Sequence, residues 1–413
     1  MERLYIGRVA LTTAVIFVLA GCGGTQPLIG SPGKIPKSIT ASAQHAQSSR
    51  YEVLFSFNGA NGKNPSAGLL DWNGKLYGTT TGGAYESQAL GNVFSITTTG
   101  KEKVLYDFHL RPDGNDPAAA LIEMNGKLYG TTVQGGTYDC GTVFSLTRTG
   151  KENVLHSFGF APFSDGVNPT AALVDVNGTL YGTTLSGRGP FLGASTVFTV
   201  TPQGIETVLH RFTGYPSDGA SPRAGLVYVK GLLYGTTEGG GSGKYFHNGV
   251  GTVFSITPGG AEKVVYSFNP GYSPPVKSGF DPYAGLTNVN GTLYGTTVYG
   301  GAYQCGTVFS VTRTGIEKVL HSFGYDEDGC TPYAGLVYVK GMLYGTTRDE
   351  GAYGNGTIFS VSLSGSTKVL HSFGYGSDGS APFTGLIDVN GTLYGTTLLG
   401  GTYGDGAVFA LTP

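Results

Sequence analysis

Residues 284–323 read AGLTNVNGTLYGTTVYGGAYQCGTVFSVTRTGIEKVLHSF, and this stretch decides the fold. Leu286 to Val289 and Thr292 to Thr296 are short apolar runs separated by Asn290-Gly291. Both turn residues accept positive φ, so the pair predicts a type I′ hairpin. After Gly300-Gly301 comes a third run, Gly306 to Thr312, rich in Val, Phe and Thr. Arg313 to Gly315 turn the chain, and Glu317 to Phe323 form a fourth run. We name the four runs strands a, b, c and d. No window carries a helical period, and 71 glycines among 413 residues penalise helix throughout.

The unit repeats. Tyr-Gly-Thr-Thr begins at Tyr77, Tyr129, Tyr181, Tyr234, Tyr294, Tyr344 and Tyr394, at spacings of 52, 52, 53, 60, 50 and 50 residues. Four short antiparallel strands per unit, repeated radially, describe a propeller blade, and apolar residues on both strand faces suit blades packed between neighbours. The sequence therefore predicts an all-β, seven-bladed β-propeller over residues 51–413. Its ends are complementary. Tyr51 to Phe57 is a d strand with no a, b or c before it, and Ala381 to Pro413 supplies a, b and c with no d after it. Pairing them closes the ring and removes the exposed edges of an open array. The long d–a connections favour strand a at the axis.

The N-terminal 50 residues read differently. Arg3 and Arg8 flank a short basic region, Val9 to Ala20 is mostly apolar, and Leu19-Ala20-Gly21-Cys22 follows. The run is shorter than the ~20 residues a spanning helix needs. It reads as an export signal over residues 1–22 ending in a lipobox, with acylation expected at Cys22. Residues 23–50 are rich in Gly, Pro, Ser and Gln and are expected to form a flexible tether. The chain is thus expected at the bacterial cell envelope, on the outer membrane or cell surface, as a monomer. With 25 basic and 27 acidic side chains, it lacks the basic stripe that nucleic acid requires.

Most recurrent polar residues have a structural explanation. His156, His210, His321 and His371 share one position of strand d, which holds Phe55, Tyr106 and Tyr266 elsewhere, so an amphipathic packing ring is expected there. Asp-Gly recurs in the d–a loop at Asp113, Asp165, Asp218, Asp328 and Asp378, with Asn61-Gly62 in the first unit, as turn chemistry demands. Glu102, Glu152, Glu206, Glu262 and Glu317 open strand d and are expected to be solvated. Only Asp326-Glu327-Asp328 offers a local oxygen cluster for calcium, and no metal or cofactor is expected. Cys140 and Cys305 occupy the same b–c loop position in different blades, and Cys140 is expected as a free thiol. Cys305 and Cys330 sit in b–c and d–a loops on one face, so either a disulfide or two free thiols fits an oxidising compartment.

Departures from the repeat point to function, because ring scaffolds carry it on loops. The fourth unit is expanded at Glu238 to Val250 and at Asn269 to Tyr283, and the third is irregular at Leu185 to Ser195. These loops place Arg188, Phe191, Tyr245, Phe246, His247 and Tyr272 on the b–c/d–a face, where aromatic and polar side chains suit sugar or protein recognition.

The pattern Gly-Thr-Val-Phe-Ser … Leu-Tyr-Gly-Thr-Thr-x-x-Gly-Gly closely resembles the Gloeo/Verruco (GloVer) tandem repeat of bacterial exported proteins, over residues 51–413. The resemblance implies an anchored surface protein and supplies no catalytic residues. A looser similarity is to kelch repeats, whose tryptophan is missing: Trp72 is the only one here and stands in strand a. The expected function is binding of an extracellular glycan or protein through the b–c/d–a face. The alternative is a polysaccharide hydrolase or lyase with its site in the central funnel, where His109, Arg111, Asp349 and Glu350 are the singular polar residues.

Overall fold

A computed structural model describes residues 49–82, 90–159, 165–185, 195–243, 249–269, 278–374 and 376–413. Seven four-stranded antiparallel sheets follow one another as the blades of a β-propeller. Strand a spans Leu70–Trp72, Ile122–Met124, Val174–Val176, Val227–Val229, Thr287–Val289, Val337–Val339 and Ile387–Val389 in blades 1 to 7. Strand b spans Lys75–Thr80, Lys127–Thr132, Thr179–Thr184, Leu232–Thr237, Thr292–Thr297, Met342–Thr347 and Thr392–Thr397. Strand c spans Asn92–Thr97, Thr142–Thr147, Thr196–Val200, Thr252–Ile256, Thr307–Thr312, Thr357–Ser362 and Ala407–Thr412. Strand d spans Glu102–Asp107, Glu152–Ser157, Glu206–Arg211, Glu262–Ser267, Glu317–Ser322 and Thr367–Ser372 in blades 1 to 6.

Blade 7 takes its strand d from the other end of the chain. Arg50–Ser56 runs antiparallel to Ala407–Thr412, with Arg50 opposite Thr412 and Ser56 opposite Ala407. The ring is closed by its own ends, and the strand begins one residue earlier than its sequence suggests. Strands a of neighbouring blades approach one another around the axis, so strand a is innermost.

Each residue of Tyr-Gly-Thr-Thr has a separate physical reason. Strand b alternates, so Leu293 faces blade 4 with Tyr234, Val253 and Phe268, whereas Tyr294 faces blade 6 with Leu336, Leu343 and Phe359. Burial on both faces is what a blade between two others requires. The glycine lies under the strand c phenylalanine: a Cβ on Gly295 would stand 2.7 Å from Phe309 Cζ and 3.0 Å from Leu286 Cδ2. The first threonine ties each blade to the next. Thr236 Oγ1 donates to the Ala284 carbonyl at 2.9 Å and Thr296 Oγ1 to that of Ala334 at 2.9 Å. Thr396 closes the circle by donating to the Ala67 carbonyl at 3.4 Å. The second threonine holds strand c, as in Thr297 Oγ1 to Thr307 Oγ1 at 2.8 Å. Opposite Thr397 stands Ala407, and the Thr397 hydroxyl is buried with no hydrogen-bond partner among the described residues.

Turns and inter-blade clamps follow the same economy. The a–b hairpins have positive φ at both central residues, including Asn290 (54°) and Gly291 (90°), which is the type I′ geometry the Asn-Gly pairs announce. The residue before each loop proline is also left-handed, from Asn64 (53°) through Asp281 (55°) and Thr331 (55°) to Ala381 (50°). Its amide reaches back to the preceding blade, Asp281 N to Val250 O at 3.0 Å, and its carbonyl accepts from its own strand b end, Val298 N, at 3.1 Å. The strained residue is thus fixed on both sides, and it aims the next residues at the axis.

Candidate ligand site at the mouth of the channel

The segment Ala-Gly-Leu, or a close variant, enters strand a in every blade, and its small residues line a narrow axial cavity of about 250 Å³. Only small residues fit: a Cβ on Gly225 would lie 2.9 Å from the Ala172 carbonyl. The residue just before this segment sits at the channel mouth on the b–c/d–a face. It is Ser66, Ala118 and Thr170 in blades 1 to 3, and Arg223, Tyr283, Tyr333 and Phe383 in blades 4 to 7. Half the ring is bare and half carries large side chains. The seven-fold pattern is broken where all seven blades meet.

The large residues converge over the axis. Tyr333 and Phe383 stack with centroids 4.9 Å apart and planes at 27°. Tyr283 meets both edge-on, at 5.0 Å from Tyr333 and 5.7 Å from Phe383. Such offset and edge-to-face geometry is favoured by ring quadrupoles. Beside them lies a second cavity of about 380 Å³, lined also by Arg223, Glu238, Asp281, Tyr299 and Arg348. Arg223 Nε donates to the Glu238 carboxylate, and its guanidinium lies 5.0 Å from the Tyr283 ring centre. The Arg348 guanidinium lies 5.6 Å from that of Tyr333. Burial, reinforced by the Glu238 charge, pushes the Asp281 carboxyl up to about 7.

Covalent support lies directly behind this wall. Cys305 and Cys330 form a disulfide, with Cα atoms 4.6 Å apart, joining the blade 5 b–c loop to the segment leading to Tyr333. Thr331 N donates to Cys305 O at 2.9 Å, and Cys330 N to Asp349 O at 2.8 Å. Cys140 is a free thiol.

The outer rim corrects two expectations. The strand d rings are more than packing, because the Asp of each Asp-Gly pair takes the ring's polar atom. Tyr106 Oη donates to Asp113 at 2.7 Å, and His156, His210, His321 and His371 pair with Asp165, Asp218, Asp328 and Asp378 at 2.7 to 3.2 Å. Where the ring is Phe55, the loop carries Asn61 instead. The glycine lets the loop pass over strand b: a Cβ on Gly329 would lie 1.9 Å from Thr347 Oγ1. The strand d glutamates are half-buried rather than solvated, and Oε1 of Glu102, Glu152, Glu206, Glu262 and Glu317 has no hydrogen-bond partner among the described residues. They enter the seams between blades, where burial, and then a nearby aspartate, pushes Glu152 and Glu262 up to about 7.

His210, Asp218 and Glu262 bring one ligand atom each within 4.8 Å of one another. Asp218 already accepts from His210, Thr213 N and Oγ1, and Gly219 N, so little of it is left for a cation. Asp328 is committed in the same way to His321, Gly324 N and Tyr325 N, which leaves the Asp326–Asp328 cluster without a converging donor set.

Of the residues singled out by sequence, Cys22, Arg188, Phe191, Tyr245, Phe246, His247 and Tyr272 lie outside the described residues. His109 and Arg111 are not brought to the funnel. They pair locally with Asp113 and Asp139, and neither they nor Asp349 and Glu350 line the channel or its mouth. The mouth residues went unnoticed in the sequence, although the series Ser, Ala, Thr, Arg, Tyr, Tyr, Phe before a near-constant segment was the available signal.

Comparison with solved structures shows the propeller fold in distant proteins. A periplasmic gluconolactonase of Pseudomonas aeruginosa superposes with a TM-score of 0.50 at 16% identity, over 76% of this chain and 86% of that one. A puromycin-hydrolysing peptidase of Mycobacterium tuberculosis gives 0.51 at 12% identity, over 82% of this chain and 50% of that one. Comparison with curated proteins by sequence finds no match. The Gloeobacter/Verrucomicrobia repeat model matches residues 40–247 and 243–413, together nearly the whole propeller and its lead-in. By that match, and by the seven repeats whose geometry is set out above, the chain belongs to the Gloeobacter/Verrucomicrobia repeat family.

Proposed function

We propose that this chain is an exported, lipid-anchored propeller that binds a glycan at the channel mouth and leaves it intact. The observation that carries the reading is the cluster of Tyr283, Tyr333 and Phe383 from three consecutive blades. Aromatic faces beside polar groups match a sugar ring, whose C–H face packs on carbon while its hydroxyls seek donors and acceptors. Arg223, Glu238, Asp281 and Tyr299 supply those polar groups around the same cavity. Anchoring through Cys22 and a tether over residues 23–50 would hold the propeller at the envelope, and the disulfide suits an oxidising compartment.

A second reading, a polysaccharide hydrolase or lyase, draws on one observation. Asp281, pushed up to about 7 beside Glu238, has the proton affinity of a general acid. The two readings separate in one experiment, in which the chain is passed over immobilised envelope polysaccharides. We expect retention without cleavage products, and loss of at least tenfold in affinity for the Tyr283→Ala/Tyr333→Ala/Phe383→Ala variant at unchanged melting temperature. Cleavage that Asp281→Asn stops would favour the enzyme. Full retention by the triple variant would reject the mouth as the site.

A further inference from the structure

We infer that the mouth selects an acidic sugar, a uronate whose carboxylate is taken by Arg348; this rests on the glycan reading and specifies its ligand. The argument begins with the charges around the cavity. Arg223 is spent on Glu238, with the remaining guanidinium edge near Tyr283. Arg348 is not spent. Among the described residues its Nε is buried without a hydrogen-bond partner, while 39% of the side chain remains exposed. Among the described residues its nearest carboxylate is Asp349, 3.9 Å from Nη1, and that oxygen already accepts the Thr331 hydroxyl. The exposed terminal nitrogens of this weakly paired cation are where an incoming anion would be held.

Position then chooses the anion. Arg348 follows strand b of blade 6 and lies over Tyr333, the ring stacked on Phe383. A sugar resting on the open side of this aromatic cluster brings its equatorial substituents within reach of the guanidinium. A planar carboxylate matches the paired N–H donors of the guanidinium fork better than a tetrahedral sulfate ester does. Asp281, the other carboxyl of the cavity without a cation, holds its proton more tightly than an exposed aspartate and so repels an anionic sugar less. The local sequence supports a special role for this position: the residue after Tyr-Gly-Thr-Thr is Thr81, Val133, Leu185, Glu238, Val298, Arg348 and Leu398, and only one of the seven is a cation.

The test is calorimetry on the full chain in detergent, with a galacturonate tetramer, a neutral galactose tetramer and a sulfated galactose tetramer at one ionic strength. The uronate tetramer is expected to bind at least tenfold tighter than the neutral one, with the sulfated tetramer between them. Arg348→Met should bring the uronate and neutral tetramers to the same affinity, so that the ratio between them, rather than either affinity alone, is the readout. Arg348→Lys, which keeps the charge and loses the fork, should fall between and also serve as the folded control. Equal affinity for uronate and neutral tetramers would overturn the inference while leaving glycan binding standing. A sulfated tetramer that binds tightest would overturn the carboxylate assignment. Failure of all three to bind would remove the glycan reading and the inference with it.

Discussion

A chain beginning at residue 58 is expected to lose cooperative folding, whereas a chain beginning at residue 47 should unfold like the full-length protein. The segment between them is strand d of blade 7, the last piece of a closed sheet ring. Phe57 is fully buried and packs with Leu69, Leu76, Phe94 and Ile96 of blade 1 as well as Tyr394 and Val408 of blade 7. Tyr51 stacks on His371 at 3.7 Å and meets Phe373 and Phe409 at 5.8 and 5.6 Å. Truncating one large core side chain costs about 3–5 kcal/mol, and removing several consumes the ~5–15 kcal/mol that holds a typical domain together. The strand also covers Ala407–Thr412, which would otherwise present a free apolar edge. Urea unfolding and size-exclusion chromatography should show a lost or much earlier transition and self-association. Equal midpoints and a monomeric short form would mean that the ring does not depend on this strand.

Gly295→Ala should destabilise by about 1–3 kcal/mol, the usual range for overpacking a filled core. Backbone entropy argues the other way, since replacing a strand glycine by alanine ordinarily stabilises by ~0.5–1 kcal/mol. The sign therefore reports on packing. Gly295 sits under Phe309, which is wholly buried between blades 4 and 5, and the new methyl would stand 2.7 Å from Phe309 Cζ and 2.9 Å from Cε1. Neither ring nor neighbouring Leu286 has room to retreat, because both belong to the same buried cluster. Phe309→Leu shortens the obstacle, so the double variant should recover part of the loss, and the coupling can be read from a double-mutant cycle in urea. A midpoint for Gly295→Ala equal to or above the parent's would contradict the packing explanation.

Much of the fold could be read because the sequence states it seven times. Strand order, the Asn-Gly hairpins, the complementary ends and the axial place of strand a all followed from repetition and turn chemistry. What could not be read were interactions that cross between units. The first threonine of each repeat donates to the next blade's carbonyl, as Thr296 does to that of Ala334, and nothing within a single unit announces that partner. Asp-Gly looked sufficient as a turn, and the strand d rings sufficient as packing. Their partnership is inter-element, yet the exchange of Asp for Asn61 where the ring is Phe55 was a legible trace of it.

The glutamates were misjudged for the same reason. Glu262 opens a strand and would be exposed on an isolated blade, but in the ring it enters the seam beside Asp218 of the preceding blade. The expanded loops stand out because length is visible in a sequence. The mouth residues change neither length nor register. Tyr283, Tyr333 and Phe383 gain meaning only when the axis brings them together. The exposed tyrosines Tyr138, Tyr303, Tyr353 and Tyr403, by contrast, share one b–c loop position and obey the repeat, so they mark no single place on the ring.

Soaking crystals of the chain with galactose and galacturonate tetramers addresses the site most directly. Sugar density is expected against the cluster of Tyr283, Tyr333 and Phe383, within reach of Arg223 and Arg348, at the channel mouth. Density instead on the outer tyrosines or on residues 244–248 and 270–277, with the three mouth rings unoccupied, would contradict the assignment of function to the axis.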